Sequence, residues 1–230
     1  FEAAGDDAIN LGLGQPDFAA PQHAREAATE AIREGLADGY TENKGMASLR
    51  EAIADKYARD QGVDVDPADV IATAGGSEAL HIVMEAHLDP GDEVPIPDPG
   101  FVSYDALTQL AGGTPVPVPL REDLTLDPDA VEAAITDDTV AFVVNSPGNP
   151  TGAVSPPEDV REFARIADDH DVLCVSDEVY EYTVFDGEFR SPLEFADREN
   201  VVVVNSASKL YSMTGWRLGW VTGGPERVER

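Results

Sequence analysis

Cysteine is all but absent: Cys174 stands alone, which excludes an intrachain disulfide and a thiolate metal cluster. It lies in the apolar run Val172-Leu173-Cys174-Val175, where a small buried side chain is a better reading than a nucleophile. Histidine is scarce as well. His23, His81, His87 and His170 show no ligand-type spacing and are read as helix-surface or edge residues, so no metal site is expected. Positive charge is also short: 15 Lys and Arg face 45 Asp and Glu, a formal charge of −30. Such a surface repels nucleic acid and anionic lipid. The acid is spread over the predicted helices rather than gathered in a tail, which suits a solvated surface in high salt, where screening relieves self-repulsion. Long apolar runs are missing too. Those present, such as residues 201–204, have the length of buried strands, so no membrane partner is expected. No charged, apolar, then small-residue leader is seen, and a cytoplasmic location is the default expectation.

What is present is a regular alternation. A length of 230 residues suits one large α/β domain, or a large domain with fragments of a second. Helical spacing over residues 21–56, broken between 39 and 45, precedes seven short apolar runs at 70–73, 93–96, 115–118, 140–144, 172–175, 201–204 and 218–222. Helical stretches such as 77–88 and 157–169 fall between them. The expectation is an α/β fold, three-layer α/β/α, with a mostly parallel seven-stranded sheet. Prolines at 95, 97, 99, 115, 117 and 119 remove ladder donors and place the second and third runs towards a sheet edge.

In an open α/β sheet ligands gather beyond the carboxyl ends of the strands, so the residues after each run are the ones to examine. The first run ends in Gly75-Gly76-Ser77, a glycine turn opening into a helix, where free N–H groups and the positive helix end can hold phosphate. Without Walker or dinucleotide spacing this signal is weak, and a plain strand-to-helix turn explains it equally well. Phe101 follows the second run and can stack on a flat heterocycle or simply pack a loop. The fourth run leads to Asn145 and Asn149 in a Pro-Gly turn, two amides at one strand mouth where a capping role would need one.

Asp177 and Tyr180 follow the fifth run. A carboxylate at the end of a buried strand calls for a cationic partner. The sixth run leads to Ser206, Ser208 and Lys209. Of the three lysines, Lys44 sits in a polar loop and Lys56 on a helix with Asp60 four residues on, both ordinary settings. Lys209 instead follows a buried strand, where a point charge is costly unless paired or neutralised. Arg217 enters the seventh run with a planar fork suited to phosphate or carboxylate.

The segment from Ser206 to Gly219, with Asn149-Pro150-Thr151-Gly152 and Asp177-Glu178-Val179-Tyr180, resembles the class I and II aminotransferases of the fold-type I pyridoxal-phosphate family, and the resemblance runs from about Leu11 to the end. It implies pyridoxal 5'-phosphate as cofactor, amino acid and 2-oxo acid as substrates, and a homodimer. Lys209 would form the Schiff base and carry a proton; Asp177 would hold the pyridine nitrogen protonated. Asn149 and Tyr180 would bond the ring oxygen, and Phe101 would stack on the ring. Gly75, Gly76, Ser77, Ser206, Ser208 and Arg217 would hold the phosphate. Tyr40 would reach the neighbouring subunit's phosphate, and the backbone at Gly14, with Asn149, would meet the substrate.

The resemblance implies that residues 1–22 belong to a small domain and 23–230 to the large cofactor domain. The family continues past Arg230 into a C-terminal domain bearing the substrate-carboxylate arginine, so a fragment is expected, itself inactive in the extreme case. Donor type stays open among aspartate, alanine and aromatic amino acids. Two alternatives remain: a carbon-sulfur lyase using the same residues, and a non-catalytic cofactor-binding sensor.

Overall fold

Every apolar run forms a strand in the computed structural model, which describes residues 12, 14–36, 38–195 and 198–229. Residues 1–11, Leu13 and Arg230, included in the expected resemblance and domain division, lie outside the described residues. The strands are β1 (Val70–Thr73), β2 (Glu93–Asp98), β3 (Thr114–Pro119), β4 (Ala141–Asn145), β5 (Leu173–Asp177), β6 (Val201–Ser206) and β7 (Gly219–Gly223). The helices are α1 (Gln22–Arg33), α2 (Ala47–Asp60), α3 (Gly76–His87), α4 (Val102–Leu110), α5 (Pro128–Ala133), α6 (Pro157–His170), α7 (Ala207–Leu210) and α8 (Pro225–Glu229). The boundary signals in α6 are local: Pro157 opens it, Glu158 and Asp159 face its positive end, and Asp171 stops it in the left-handed conformation.

The expected single seven-stranded sheet is instead divided. Five strands run β1-β7-β6-β5-β4, and β2 and β3 form a separate parallel pair. β4, β5 and β6 pair in parallel, whereas β7 is antiparallel to both neighbours. Proline parity explains the break. Glu93 N donates to Asp138 O, and Val140 N returns a bond to Glu93 O, forming a single bridge towards β4. The next residues of β2 with that orientation are Pro95 and Pro97, which have no N–H to give. In β3, Thr114 and Leu120 donate to Asp92 and Asp98, so Pro115, Pro117 and Pro119 face the outer edge. The prolines thus mark both an edge and a gap.

The central strands are apolar on both faces because helices cover both. Val201 and Val203 join one cluster with Tyr57, Phe142, Phe163 and Ile166; Val202 and Val204 join the other with Leu80, Met84 and Tyr104. Cys174 is fully buried in the first cluster, and burial pushes its thiol pKa up, so it is a packing residue. His87, expected at a surface, is buried at the end of α3 with Nδ1 2.9 Å from Val83 O. Among the described residues, no helix is long and apolar enough to cross a membrane.

Candidate active site

A cavity of about 410 Å³ opens at the carboxyl ends of β4, β5 and β6, where the strand-end rule places a ligand. Most of the anticipated residues meet in its wall: Phe101, Asn149, Asp177, Tyr180 and Lys209 on one part, Gly76, Ser77, Ser206, Ser208 and Arg217 on another, and Gly14 at the mouth. Gly75 lies behind the wall rather than in it. Tyr40 is fully exposed and does not line the cavity.

The phosphate-type end is built by close backbone packing. Gly75, at φ 91°, turns β1 into the N-terminus of α3. A Cβ there would lie 2.5 Å from Arg217 Nη2, so the guanidinium rests on the glycine itself. Arg217, in the left-handed region, donates to Thr214 O at 3.0 Å and Ala74 O at 3.1 Å, which fixes its fork beside the turn. From the other side, Gly219 of β7 would carry a Cβ 2.5 Å from Gly75 C and 2.7 Å from Gly76 N. Those neighbours are backbone and cannot step aside. Gly219→Ala is therefore expected to weaken phosphate-ester binding tenfold or more and to cost roughly 1–3 kcal/mol of stability, the usual range for overpacking. Ligand titration beside a thermal melt checks both.

At the opposite end Asp177 is 4% exposed. Its Oδ2 accepts from Tyr104 Oη at 2.7 Å, and the Val179 N–H approaches Oδ1 at 3.4 Å. Burial raises its carboxyl to about 6, against the downward pull of those two donors. The anticipated cationic partner is not supplied by the chain: among the described residues no Lys, Arg or His pairs with Asp177. A buried carboxylate that lines the cavity without a protein cation is thus left to a cationic ligand group.

Lys209 is half-buried on α7, and its Nζ donates to Gly14 O. Burial lowers its pKa, which raises the share of free amine available as a nucleophile. The ammonium lies 5.7 Å from the Tyr180 ring centroid. Burial, then the charge of Asp177, raises the Tyr180 phenol, keeping it a donor. Asn145, noted only as a second amide, works as a brace: its Nδ2 donates to Asp177 O at 2.9 Å and its Oδ1 accepts the Asn149 N–H at 2.7 Å.

Two further features escaped sequence reasoning. Tyr104 is not among the residues that the strand ends single out, yet its hydroxyl orients Asp177; its place one turn beyond Phe101 on α4 is the available signal. Lys56 is not the solvated partner of Asp60. It is 4% exposed, 4.0 Å from Asp60 Oδ2 but 2.7 Å from Glu181 Oε1.

Beside that pair, Glu178 is fully buried. Its Oε1 accepts from Ser176 Oγ and Ser191 Oγ, and its Oε2 has no hydrogen-bond partner among the described residues. Burial, then the charge of Glu181, lifts its carboxyl to about 8. A raised acid pKa means that the folded state keeps a proton that the unfolded state releases, so its contribution is present at low pH and lost as pH rises towards 8. Between pH 6 and 8.5, urea denaturation should therefore record a fall in stability of up to about 1.4 kcal/mol per pH unit, and Glu178→Gln should flatten it.

A flat anion-bearing ligand with a ring cation fits this cavity: an aromatic wall, an anion cradle, a cation-seeking carboxylate and one nucleophilic amine, on an α/β cofactor fold. Residues 6–230 match the family described as aminotransferase class I and II, and the chain belongs to that family. It is 43% identical over 226 residues to a probable aspartate aminotransferase of Methanocaldococcus jannaschii, covering 98% of this chain and 60% of that protein. It is 44% identical over 227 residues to the aspartate/prephenate aminotransferase of Thermus thermophilus, covering 98% and 58%. The solved structure of an aromatic aminotransferase from Pyrococcus horikoshii superposes with a TM-score of 0.93 at 41% identity, over 98% of this chain and 61% of that one. The chain thus spans about 60% of the length of the relatives it matches. The family uses pyridoxal 5'-phosphate, and Asp177, Lys209, Phe101 and the Gly76 and Ser77 helix start fit its ring nitrogen, aldehyde, ring face and phosphate.

Proposed function

We propose that this chain is the cofactor-binding part of an aminotransferase that moves an amino group between an amino acid and a 2-oxo acid. The observation carrying this reading is the pairing, in one cavity, of half-buried Lys209 with buried Asp177, which has no cationic partner among the described side chains. When bound, pyridoxal 5'-phosphate supplies an aldehyde that captures amines and a protonated ring that accepts the electron pair left at the substrate Cα. Lys209 Nζ would hold the cofactor through its aldehyde and, as a free amine, would move the proton at the substrate Cα. The Asp177 carboxylate holds the proton at the ring nitrogen. Asn149 and Tyr180 would bind the ring oxygen, Phe101 would stack on the ring, and the α3 N-terminus with Ser77, Ser206, Ser208 and Arg217 would hold the phosphate.

Residues 1–22 are assigned to a small domain and 23–230 to the large one. Dimerisation is part of the proposal: Tyr40, fully exposed and outside its own cavity, is free to complete a second subunit's phosphate site. Gly14, already engaged with Lys209, and Asn149 are assigned to the substrate. A cytoplasmic enzyme adapted to high salt fits the charge of −30, and stability rising between low and molar salt would support that part. The relatives' names include aspartate and aromatic aminotransferases, so the donor is left as an aspartate-, alanine- or aromatic-type amino acid.

The test is a visible absorption spectrum of the complete protein with cofactor, before and after adding amino acids. Loss of the cofactor band with 2-oxo acid formation is expected. Release of pyruvate and ammonia would mark the lyase alternative instead, and an unchanged spectrum would mark a sensor.

A further inference from the structure

A buried ion pair behind the cavity is joined by hydrogen bonds to its phosphate end. Lys56 projects from α2, at the side of the sheet away from α3, and its Nζ lies 2.7 Å from Glu181 Oε1. Its remaining surroundings are Asp60 Oδ2 at 4.0 Å and the rings of Tyr57 and Tyr182, 4.8 and 5.2 Å from the ammonium. Glu181 is 7% exposed, and both of its oxygens are engaged: Oε1 also accepts from Asn205 Nδ2 at 2.9 Å, and Oε2 from Gln61 Nε2 at 2.8 Å. Asn205 is buried within β6, and its Oδ1 accepts the backbone N–H of Ser206 at 2.7 Å. Ser206 lines the cavity, and its hydroxyl accepts the Ser208 N–H at 3.3 Å. One continuous path therefore runs from Lys56 through Glu181 and Asn205 to the two serines. Glu181 also follows Tyr180 directly, and its backbone N–H is held by Glu178 O at 3.0 Å.

This arrangement costs more than plain packing would. Burying a lysine and a glutamate together is at best neutral against apolar residues of the same shape, so stability alone does not call for the pair. What the pair adds is direction: Glu181 Oε1, held by Lys56, takes the Asn205 amide donor end, and that choice leaves Oδ1 to orient the Ser206 N–H.

We propose that Lys56 is a positioning residue of the phosphate subsite: by anchoring the Glu181 carboxylate it orients Asn205 and so sets Ser206 and Ser208 for the cofactor phosphate. The inference rests on the pyridoxal-phosphate reading above. It gives Lys56 no contact with the ligand. Its main effect falls on the phosphate end, because Asp177 and Phe101 are held by other partners.

The experiment compares binding of pyridoxal 5'-phosphate with binding of pyridoxal, which lacks the phosphate, to the complete protein, with thermal melts alongside. Lys56→Met is the first variant. Lys56→Met/Glu181→Met is the second, because it leaves no unpaired buried charge and keeps the fold if the single variant does not. The wild type should prefer the phosphate ester strongly. The variants should lose roughly tenfold of that preference, about one charge-assisted hydrogen bond's effect, with pyridoxal binding unchanged. A drop in melting temperature with the preference intact in a folded variant would overturn the proposal and leave Lys56 a purely structural residue. A wild type binding neither compound would remove the cofactor reading and the proposal with it.

Discussion

Lys209→Ala is expected to abolish amino transfer, by roughly 10⁴-fold or more, because one side chain supplies both the nucleophile and the proton carrier. The other lysines cannot take its place. Lys44 Nζ donates to Ala68 O at 2.9 Å and does not line the cavity, and Lys56 is locked against Glu181. The fold should survive, since Lys209 is only half-buried on the four-residue α7 and its Nζ contact is with Gly14. The variant should still bind pyridoxal 5'-phosphate without a covalent link, through the Gly76, Ser77 and Arg217 end. Turnover with each amino acid, together with equilibrium binding, separates the lost chemistry from lost affinity, and Lys44→Ala should match the wild type in both.

Asp177→Asn should have the second largest effect, a fall in turnover of about 10² to 10⁴-fold. Asparagine keeps the volume and can still accept from Tyr104, so packing is little changed. What disappears is the negative charge that holds a proton on the ring. The wild-type carboxyl, raised to about 6 by burial, is protonated in more acidic solution. A protonated Asp177 cannot pair with a ring cation, so cofactor affinity should fall as pH drops below about 6 and recover above it. The asparagine variant should lack that limb. Binding measured from pH 5 to pH 8 for both proteins checks the sign as well as the size.

The strand-end rule made most of the cavity legible in the sequence, because residues such as Asp177 and Lys209 follow immediately upon runs whose apolar character alone marks them as buried strands. The contacts that tie those residues down were less legible. Lys56 has an acid four residues on, a sufficient local partner, and nothing in its neighbourhood announces Glu181 on a distant loop. Tyr104 reads as one more core residue of α4 until its hydroxyl is found on Asp177 at the end of β5. The prolines of β3 gave the edge correctly, since an edge needs only missing donors. The gap between β2 and β4 depends on which parity of β2 faces which neighbour, and that is settled by the order of strands in space. Gly219 carried its reason in another element altogether, the Gly75 turn on the adjoining strand β1.

The central claim is that Lys209 is the covalent anchor of pyridoxal 5'-phosphate in the cavity beyond β4, β5 and β6. Borohydride reduction of the protein with cofactor, followed by peptide mapping, tests it most directly. The account predicts a stable phosphopyridoxyl label on the peptide containing Lys209, absent from Lys209→Ala. A label on Lys44 or Lys56, or a label that persists in Lys209→Ala, would contradict it.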